Sequence, residues 1–197
     1  GFDVHSYTAE IMGVSRQDAK AHTFKPLYGG VLGTNREMAY YSAFRNKYQG
    51  VTEWHDKLQD EAVTSKRVVL PSGREYAFPY AKYTRYGTTV GATSIKNYPV
   101  QGFATADLLP LALIRLHKSL RAMIRPVPQS KIINTVHDSI IMDVHPDEKD
   151  WMIELLRRSM LCIPEECGTE FGIDFDMPIE IELKIGTDWL NLEEIAA

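Results

Sequence analysis

The sequence has few cysteines and no long apolar run, and both shortages restrict what the protein can be. The two cysteines among the 197 residues, Cys162 and Cys167, have no zinc-ligand spacing and build no disulfide framework. The longest apolar run, residues 108–114, is interrupted by Pro110 and is far too short to span a bilayer. These shortages favour a cytoplasmic protein with reduced structural thiols.

Negative charge is also scarce, but only in the first part of the chain. The whole chain carries 22 Lys and Arg against 26 Asp and Glu, which gives a net charge of −4. Residues 1–142 hold 18 of the basic and 11 of the acidic side chains, whereas residues 143–197 hold 4 and 15. A basic part of this kind can face a phosphate backbone while an acidic remainder faces solvent. The distribution therefore supports, without establishing, a nucleic-acid partner.

Apolar spacing, cap residues and turn residues predict an α+β fold with helices, a hairpin and a small antiparallel sheet. The predicted helices cover residues 3–12, 16–29, 34–48, 51–66, 93–125 and 147–161. The predicted strands cover residues 68–70, 75–78, 131–136, 139–144 and 179–185. We expect Asp3 and Ser15 to cap the first two helices and Thr52 to open the fourth. Pro99 or Pro110 is expected to bend the long helix.

Four side chains of the second predicted helix form a stripe of two cations followed by two aromatic rings. Arg16, Lys20, Phe24 and Tyr28 follow one another at steps of four, so they wind slowly around one side of the helix. Cations can neutralise phosphate oxygens and a ring can pack against a sugar and base, so the stripe suits a nucleoside triphosphate. For an arbitrary helix, the alternative is a solvated cationic edge beside two core aromatics.

A second candidate site is a carboxylate at the tip between two predicted strands. Asp138 follows His137 in the connection between residues 131–136 and 139–144. A carboxylate that projects from a rigid sheet edge is a suitable ligand for Mg²⁺, which prefers oxygen donors. For an isolated His-Asp pair, ordinary turn chemistry is the alternative.

Four segments, in this order, resemble motifs of the family A (DNA polymerase I-like) DNA polymerases. The stripe and the residues that follow it resemble motif B, and residues 97–107 resemble the family's Asn-x-Pro-x-Gln-Gly segment. Residues 136–138 resemble motif C, and residues 186–189 resemble the Gly-x-x-Trp close. The chain is identified as a member of this family. The resemblance implies helical fingers in residues 1–66 and a C-terminal palm in residues 67–197.

The resemblance implies that the stripe binds an incoming dNTP. Arg16 and Lys20 would bind the triphosphate, and Lys20 could also act catalytically by protonating the pyrophosphate leaving group. Phe24 would pack on the sugar and base, and Tyr28 would stack near the templating position. His5 matches a family histidine that reaches the triphosphate.

The resemblance also implies nucleotidyl transfer to a primer 3′-hydroxyl by a two-metal mechanism with Mg²⁺. Asp138 would be the catalytic metal ligand of this chain, and His137 would lie near the primer-terminal phosphate. Asn97 and Gln101, one helical turn apart, would read minor-groove acceptors of the duplex. The expected partners are therefore primer-template DNA and dNTPs.

Several positions depart from the family pattern. Lys25 replaces a usual glycine, and Pro26 is expected to end or kink the motif B helix before Gly29-Gly30. Thr93 stands where an arginine is usual, and Ser139 replaces the usual second carboxylate of motif C. The Lys25-Pro26 pair and Ser139 suggest a phage or otherwise divergent lineage.

The family's other essential metal-binding aspartate belongs to motif A, which lies upstream of the His5 segment, as do the thumb and any exonuclease domain. We therefore expect the chain to need an upstream segment or a partner chain that supplies motif A, and to extend no primer alone. A non-catalytic module that binds nucleotide or primed DNA is the alternative. Ser139 and the expected lack of motif A favour it, whereas Arg16, Lys20, Phe24 and Asp138 oppose it.

Overall fold

A computed structural model describes residues 3–28, 33–85, 88–123 and 127–195, and it confirms the α+β class. The chain forms two compact units. The first contains the described residues up to Leu70 together with Arg74–Val100, and the second contains residues 71–73 and those from Gln101 onward. The predicted division into fingers and palm between residues 66 and 67 stays a prediction.

Four helices make up most of the first unit. They are α1 (Val4–Met12), α2 (Arg16–Leu27), α3 (Asn35–Lys47) and α4 (Gln49–Ser65). Asp3 and Ser15 cap α1 and α2 as predicted, and each side chain accepts backbone N–H bonds from the first turn. The prediction that Thr52 opens the fourth helix is wrong, because α4 begins at Gln49. The Thr52 hydroxyl instead donates to the Arg45 carbonyl at 3.3 Å.

Helix α2 ends where its proline predicts. Its last residue is Leu27, one position after the buried Pro26, so the predicted helical span to residue 29 was too long. The Tyr28 N–H donates to the Phe24 carbonyl at 3.0 Å and closes the last turn. Gly29 and Gly30 lie outside the described residues.

An antiparallel hairpin, β1 (Arg67–Val69) with β2 (Glu75–Ala77), follows α4 and confirms the predicted turn. Two apolar clusters stabilise the first unit. One lies between α1 and α3 and contains Met12, Tyr40, Tyr41 and Phe44. The other joins α4 to β1 and contains Leu58, Ala62, Val68, Ala81 and Ile95. Leu27 of α2 packs against the first of these clusters, which therefore helps to position the helix that carries the stripe.

The predicted long helix of residues 93–125 consists of three successive helical segments. They are α5 (Ala92–Gly102), a six-residue π-helical stretch (Phe103–Leu108) and α6 (Leu109–Ala122). Pro110 has no N–H to donate to the carbonyl four residues earlier, and the wider π turns lie immediately before it. The bend predicted at a proline therefore takes the form of a π stretch. Residues 124–126 lie outside the described residues.

Besides the π-helical stretch and α6, the second unit contains two further hairpins and two further α-helices. They are β3 (Lys131–Val136) with β4 (Ser139–Asp143), α7 (Lys149–Leu161), α8 (Ile163–Phe171), and β5 (Leu183–Ile185) with β6 (Glu193–Ile195). Sequence reasoning missed α8 and β6, and it began β5 four residues too early. The core contains Leu108, Leu111, Ala112, Ile163 and Cys167, and Ile140 of β4 packs against it.

Across the part of the chain that the structure describes, no helix is both long enough and apolar enough to cross a membrane.

Candidate functional site

Buried hydroxyl groups hold α2 against α1 and α3. Thr8 and Thr23 are fully buried, and their hydroxyl oxygens lie 2.9 Å apart. The Thr8 hydroxyl also lies 2.8 Å from the Tyr40 hydroxyl of α3. Burying a hydroxyl group costs free energy unless the group is hydrogen-bonded, so these linked hydrogen bonds favour one packing of the three helices. It places Ala19 and Thr23 of α2 on the buried side.

A different side of α2, more exposed at Arg16 and Phe24, carries the predicted stripe. The Arg16 side chain is 55% exposed, Lys20 is half-buried, and Phe24 is 43% exposed. The rings of Phe24 and Tyr28 stack with centroids 6.1 Å apart. Lys20 makes no ion pair with any residue that the structure describes. The arrangement thus leaves a cation and a ring face available on one side of the helix.

His5 of α1 joins this stripe. Its ring meets the Phe24 ring edge-on with centroids 5.3 Å apart. Its Nδ1 atom is buried and has no hydrogen-bond partner among the described residues. The structure therefore brings together His5 and Phe24, two residues that the resemblance assigned to nucleotide binding.

Lys25 points away from the stripe, towards α3. Its ammonium nitrogen lies 5.2 Å from the centroid of the Tyr41 ring, within the range of a cation–π contact. The Tyr41 hydroxyl in turn lies 3.2 Å from Nδ1 of His22. Lys25 thus contributes to the packing between α2 and α3. Its ammonium group lies near an aromatic ring of α3, whereas that of Lys20 belongs to the stripe.

The second candidate site lies at the tip of the β3–β4 hairpin. Val136 pairs with Ser139, so His137 and Asp138 form a two-residue turn. His137 has a φ of 53°, in the left-handed region that non-glycine residues adopt at a cost of about 1 kcal/mol. The Asp138 carboxylate is exposed at this tip. Ser139 donates its hydroxyl to the Val136 carbonyl at 2.8 Å, which closes the turn.

A buried carboxylate that sequence reasoning missed fixes the other end of this hairpin. Glu148 accepts the N–H groups of Gln129 and Ser130 at 2.8 Å each, and the Ser130 hydroxyl at 2.5 Å. The His145 N–H donates to the same Ser130 hydroxyl at 3.0 Å. The Ser130 hydrogen bond is the main reason that the pKa of Glu148 is lowered. These bonds join the entry to β3 and the exit from β4.

The described residues contain no group of three or more His, Cys, Asp or Glu side chains that could hold a metal ion. Asp138 is an exposed oxygen donor and fits one position around Mg²⁺. Asp143 cannot assist it, because Asp143 pairs with Lys131 at the far end of the hairpin, about 13 Å along the strand from Ser139. The remaining ligands of a metal at Asp138 would have to come from a bound substrate, water or another polypeptide segment.

Asn97 and Gln101 both lie in α5, one turn apart. The Oδ1 atom of Asn97 is buried and has no partner among the described residues. Gln101 is exposed, and its carbonyl accepts the Thr105 hydroxyl at 2.7 Å. Neighbouring Tyr98 packs its ring near Tyr76 and Phe78, with centroids 5.7 and 6.0 Å away. The buried Oδ1 atom of Asn97 therefore receives no hydrogen bond from the described residues.

The sequence as a whole matches a known family. The model of DNA polymerase family A matches residues 1–191, and the chain therefore belongs to DNA polymerase family A.

Individual relatives agree with this assignment. DNA polymerase I of Lactococcus lactis is 30% identical over 96% of this chain and 22% of that polymerase. DNA polymerase I of Aquifex aeolicus is 27% identical over 96% of this chain and 34% of that polymerase. The chain thus spans between about a fifth and a third of the length of these relatives.

A solved structure has the same fold. It is the POL domain of Pol1 from M. smegmatis in complex with a DNA primer-template and a dNTP. It aligns with a TM-score of 0.68 and 21% identity, over 82% of this chain and 31% of that one. At this identity the similarity concerns the fold alone. The suggested phage lineage stays a prediction.

Proposed function

We propose that the chain forms the fingers and C-terminal palm of a DNA-directed DNA polymerase and takes part in template-directed DNA synthesis. The observation that carries this proposal is the site on α1 and α2, in a chain that belongs to DNA polymerase family A. There, Arg16, Lys20 and Phe24 lie on the exposed side of α2, and His5 contacts Phe24.

In this proposal the α2 stripe binds the dNTP. Arg16 and Lys20 bind triphosphate oxygens, because charge-assisted hydrogen bonds to phosphate are short and strong. Lys20 is also the proton donor to the departing pyrophosphate. His5 supplies a further contact to the triphosphate through its ring nitrogen. The exposed face of Phe24 packs against the sugar and base, and Tyr28 extends the aromatic surface towards the templating position.

Asp138 is the proposed metal ligand of this chain. When bound, Mg²⁺ would favour ionisation of the primer 3′-hydroxyl and neutralise charge on the triphosphate. The two-residue turn places Asp138 at the tip of the hairpin, and the Glu148 bonds join the two strands at its base. A two-metal site requires more than one carboxylate, so we propose that another polypeptide segment supplies the second one, as motif A does in the family.

The DNA contacts are proposed for Asn97, Gln101 and His137. Amides on one helix can read minor-groove acceptors, which all correctly formed base pairs present in similar positions. The side-chain N–H groups of the Asn97 and Gln101 amides would donate to these acceptors. His137 precedes the metal ligand and would contact the backbone phosphate at the primer terminus. The fold neighbour with a primer-template and a dNTP supports these partners.

A second candidate function is a non-catalytic module that binds nucleotide or primed DNA. Ser139 favours it, because a hydroxyl bonded to its own turn carbonyl supplies no charge to a metal. The two functions differ in one property. Only the catalytic function predicts primer extension when a polypeptide with the missing carboxylate is added.

The test compares two lysines of α2 in a polymerase assembled from this chain and such a polypeptide. Lys20→Ala should lower kcat/KM for dNTP by about tenfold or more, because it removes a charge-assisted bond to phosphate. Lys25→Ala removes the same charge from the side of α2 that packs against Tyr41 and should change kcat/KM by no more than about twofold.

Equal effects of the two substitutions would remove the stripe from the nucleotide site. If no primer extension occurs with well-folded wild-type components, while dNTP binding is intact and sensitive to Lys20→Ala, the non-catalytic module is the correct function.

A further inference from the structure

One carboxylate, that of Asp3, joins the N-terminal ends of α1 and α2. Its Oδ1 atom accepts the N–H groups of His5 and Ser6 at 2.9 and 3.3 Å and thereby caps α1. Its Oδ2 atom accepts the Ser6 hydroxyl at 2.8 Å and Nε of Arg16 at 2.8 Å. Asp3 therefore contacts both the backbone of His5 and the side chain of Arg16.

The contact with Arg16 uses only the inner nitrogen of the guanidinium group. The ion pair is formed by Nε, and the two terminal nitrogens have no hydrogen-bond partner in the part of the chain that the structure describes. A guanidinium group is planar, so a bond at Nε fixes the plane and the direction in which the terminal N–H groups point. With Nε bonded to Asp3, the terminal N–H groups remain as the donors that can bind a phosphate in bidentate geometry.

We infer that Asp3 is a positioning residue for nucleotide binding: it holds Arg16 by Nε so that the terminal N–H groups face the triphosphate. The inference rests on the proposed function of the α2 stripe. The carboxylate that caps α1 would then have a second role, because it also accepts the backbone N–H of His5 and so helps to position that residue. Arg16 and His5 are thus oriented together by one side chain that need not touch the nucleotide.

Two effects of Asp3 on nucleotide binding oppose each other. Its charge repels the triphosphate, but both Asp3 and Arg16 are substantially exposed, so water and salt screen this repulsion. Its bond to Nε removes conformations of a long side chain that binding would otherwise have to restrict. Salt also weakens the exposed ion pair that orients Arg16, but this contact at 2.8 Å is screened less than a repulsion over a longer distance. We therefore expect the orienting effect to dominate at moderate ionic strength.

The decisive substitution is Asp3→Asn. Asparagine is as good an N-cap as aspartate, so α1 keeps its cap, whereas the charged hold on Arg16 is lost. Asp18→Asn is the matched control. Asp18 lies in the first turn of α2, and its carboxylate accepts the Ser15 hydroxyl at 2.7 Å and makes no contact with Arg16. Both variants lose one negative charge near the same helix end.

The experiment titrates the full chain with dATP in Mg²⁺ and follows binding by NMR, including the side-chain Nε–H signal of each arginine. Asp3→Asn should weaken dATP binding about threefold at moderate ionic strength, within the roughly fivefold range of exposed ion pairs. The Arg16 Nε–H signal should shift and exchange faster with water. Asp18→Asn should leave both quantities near wild type. In an Arg16→Ala background, Asp3→Asn should have no further effect on binding.

Equal or tighter dATP binding by Asp3→Asn, with Arg16→Ala still impaired, would overturn the inference and leave the proposed function standing. If Arg16→Ala itself leaves dATP binding unchanged, the proposed nucleotide site is wrong. A loss in Asp3→Asn that also appears in the Arg16→Ala background would show an effect on the α1 backbone alone, which overturns the positioning role.

Discussion

At the scale of single residues, His55 of α4 is the ionisable group whose burial has the clearest consequence. Its side chain is buried, with the whole residue 6% exposed, and its Nε2 atom has no partner among the described residues. Burial disfavours the charged imidazole, and the nearby Lys96 charge adds to this effect, so the pKa of His55 falls to about 4. With a pKa of about 4, against an ordinary value of 6.5, His55 is neutral in the folded protein at neutral pH.

The lowered pKa of His55 predicts a loss of stability on acidification. Between pH 6.5 and about 4 the unfolded chain binds a proton at His55 and the folded chain does not, so the free energy of unfolding falls as pH falls. The full effect is about 3 kcal/mol, from 1.36 kcal/mol per unit of pKa. Urea unfolding measured at about pH 7 and about pH 4.5 should therefore show that the free energy of unfolding falls less on acidification in His55→Leu than in wild type.

The matched control for this prediction is His117→Gln, which replaces an exposed histidine. Its loss of stability on acidification should equal that of the wild type. If His55→Leu behaves in the same way as His117→Gln, then His55 is not a buried neutral group.

At the scale of elements, the β3–β4 hairpin depends on contacts at both of its ends. Its tip is closed by the bond from the Ser139 hydroxyl to the Val136 carbonyl. Its base is held by Glu148, which accepts three hydrogen bonds from Gln129 and Ser130. A fixed base restricts the direction in which the strands, and thus Asp138, project. The Glu148 bonds therefore matter for the position of Asp138, the proposed metal ligand, as well as for stability.

Substitution of Glu148 by Gln should loosen this hairpin selectively. Glutamine cannot accept all three bonds, because one of its terminal atoms is a donor. Backbone amides of β3 and β4 should then exchange with deuterium about tenfold faster, as local opening becomes easier. Glu154→Gln is the control, since Glu154 forms an exposed ion pair with Arg158 one turn along α7.

Exchange in the hairpin that is the same for both variants would contradict the role given to Glu148. The lowered pKa of Glu148 adds a check on sign. Its contribution to stability is present above the ordinary carboxyl pKa and is lost as pH falls through the lower folded value, so the difference between Glu148→Gln and wild type should shrink in acid.

The same elements show what could be predicted from the sequence. Local signals fixed α1, α2 and the two predicted hairpins, because a cap side chain, a proline or a turn acts within a few residues. The predicted start of α4 was wrong because Tyr48, which precedes the helix, makes no side-chain cap bond that the sequence could have signalled. The Glu148 bonds were missed because they join positions 18 and 19 residues apart, and no local pattern announces such a contact.

Within the two candidate sites as well, local patterns could be predicted from the sequence and contacts between separate elements could not. The stripe on α2 follows from helical periodicity, and the turn at Asp138 follows from two adjacent strand patterns. The contact of His5 with Phe24 depends on how α1 packs against α2, which the buried Thr8 and Thr23 hydroxyls determine. Periodicity assigns a residue to a face, but only packing decides which faces meet.

At the scale of the whole molecule, the chain carries part of what we propose as the polymerase site. It belongs to DNA polymerase family A over residues 1–191, yet it spans only 22% to 34% of the length of the two curated relatives described above. The described residues hold no cluster of three metal-binding side chains. The proposed activity is therefore a property of the chain together with a segment that supplies the second carboxylate.

The most direct test of the account is primer extension by the assembled polymerase with Asp138→Asn. Loss of this metal ligand should lower the rate by at least about 100-fold, because the charge of the transition state would lose its main support from this chain. Asp143→Asn, an exposed aspartate at the other end of the same hairpin, should alter the rate by no more than about twofold. Equal rates for the two folded variants would contradict the assignment of Asp138 to the metal site.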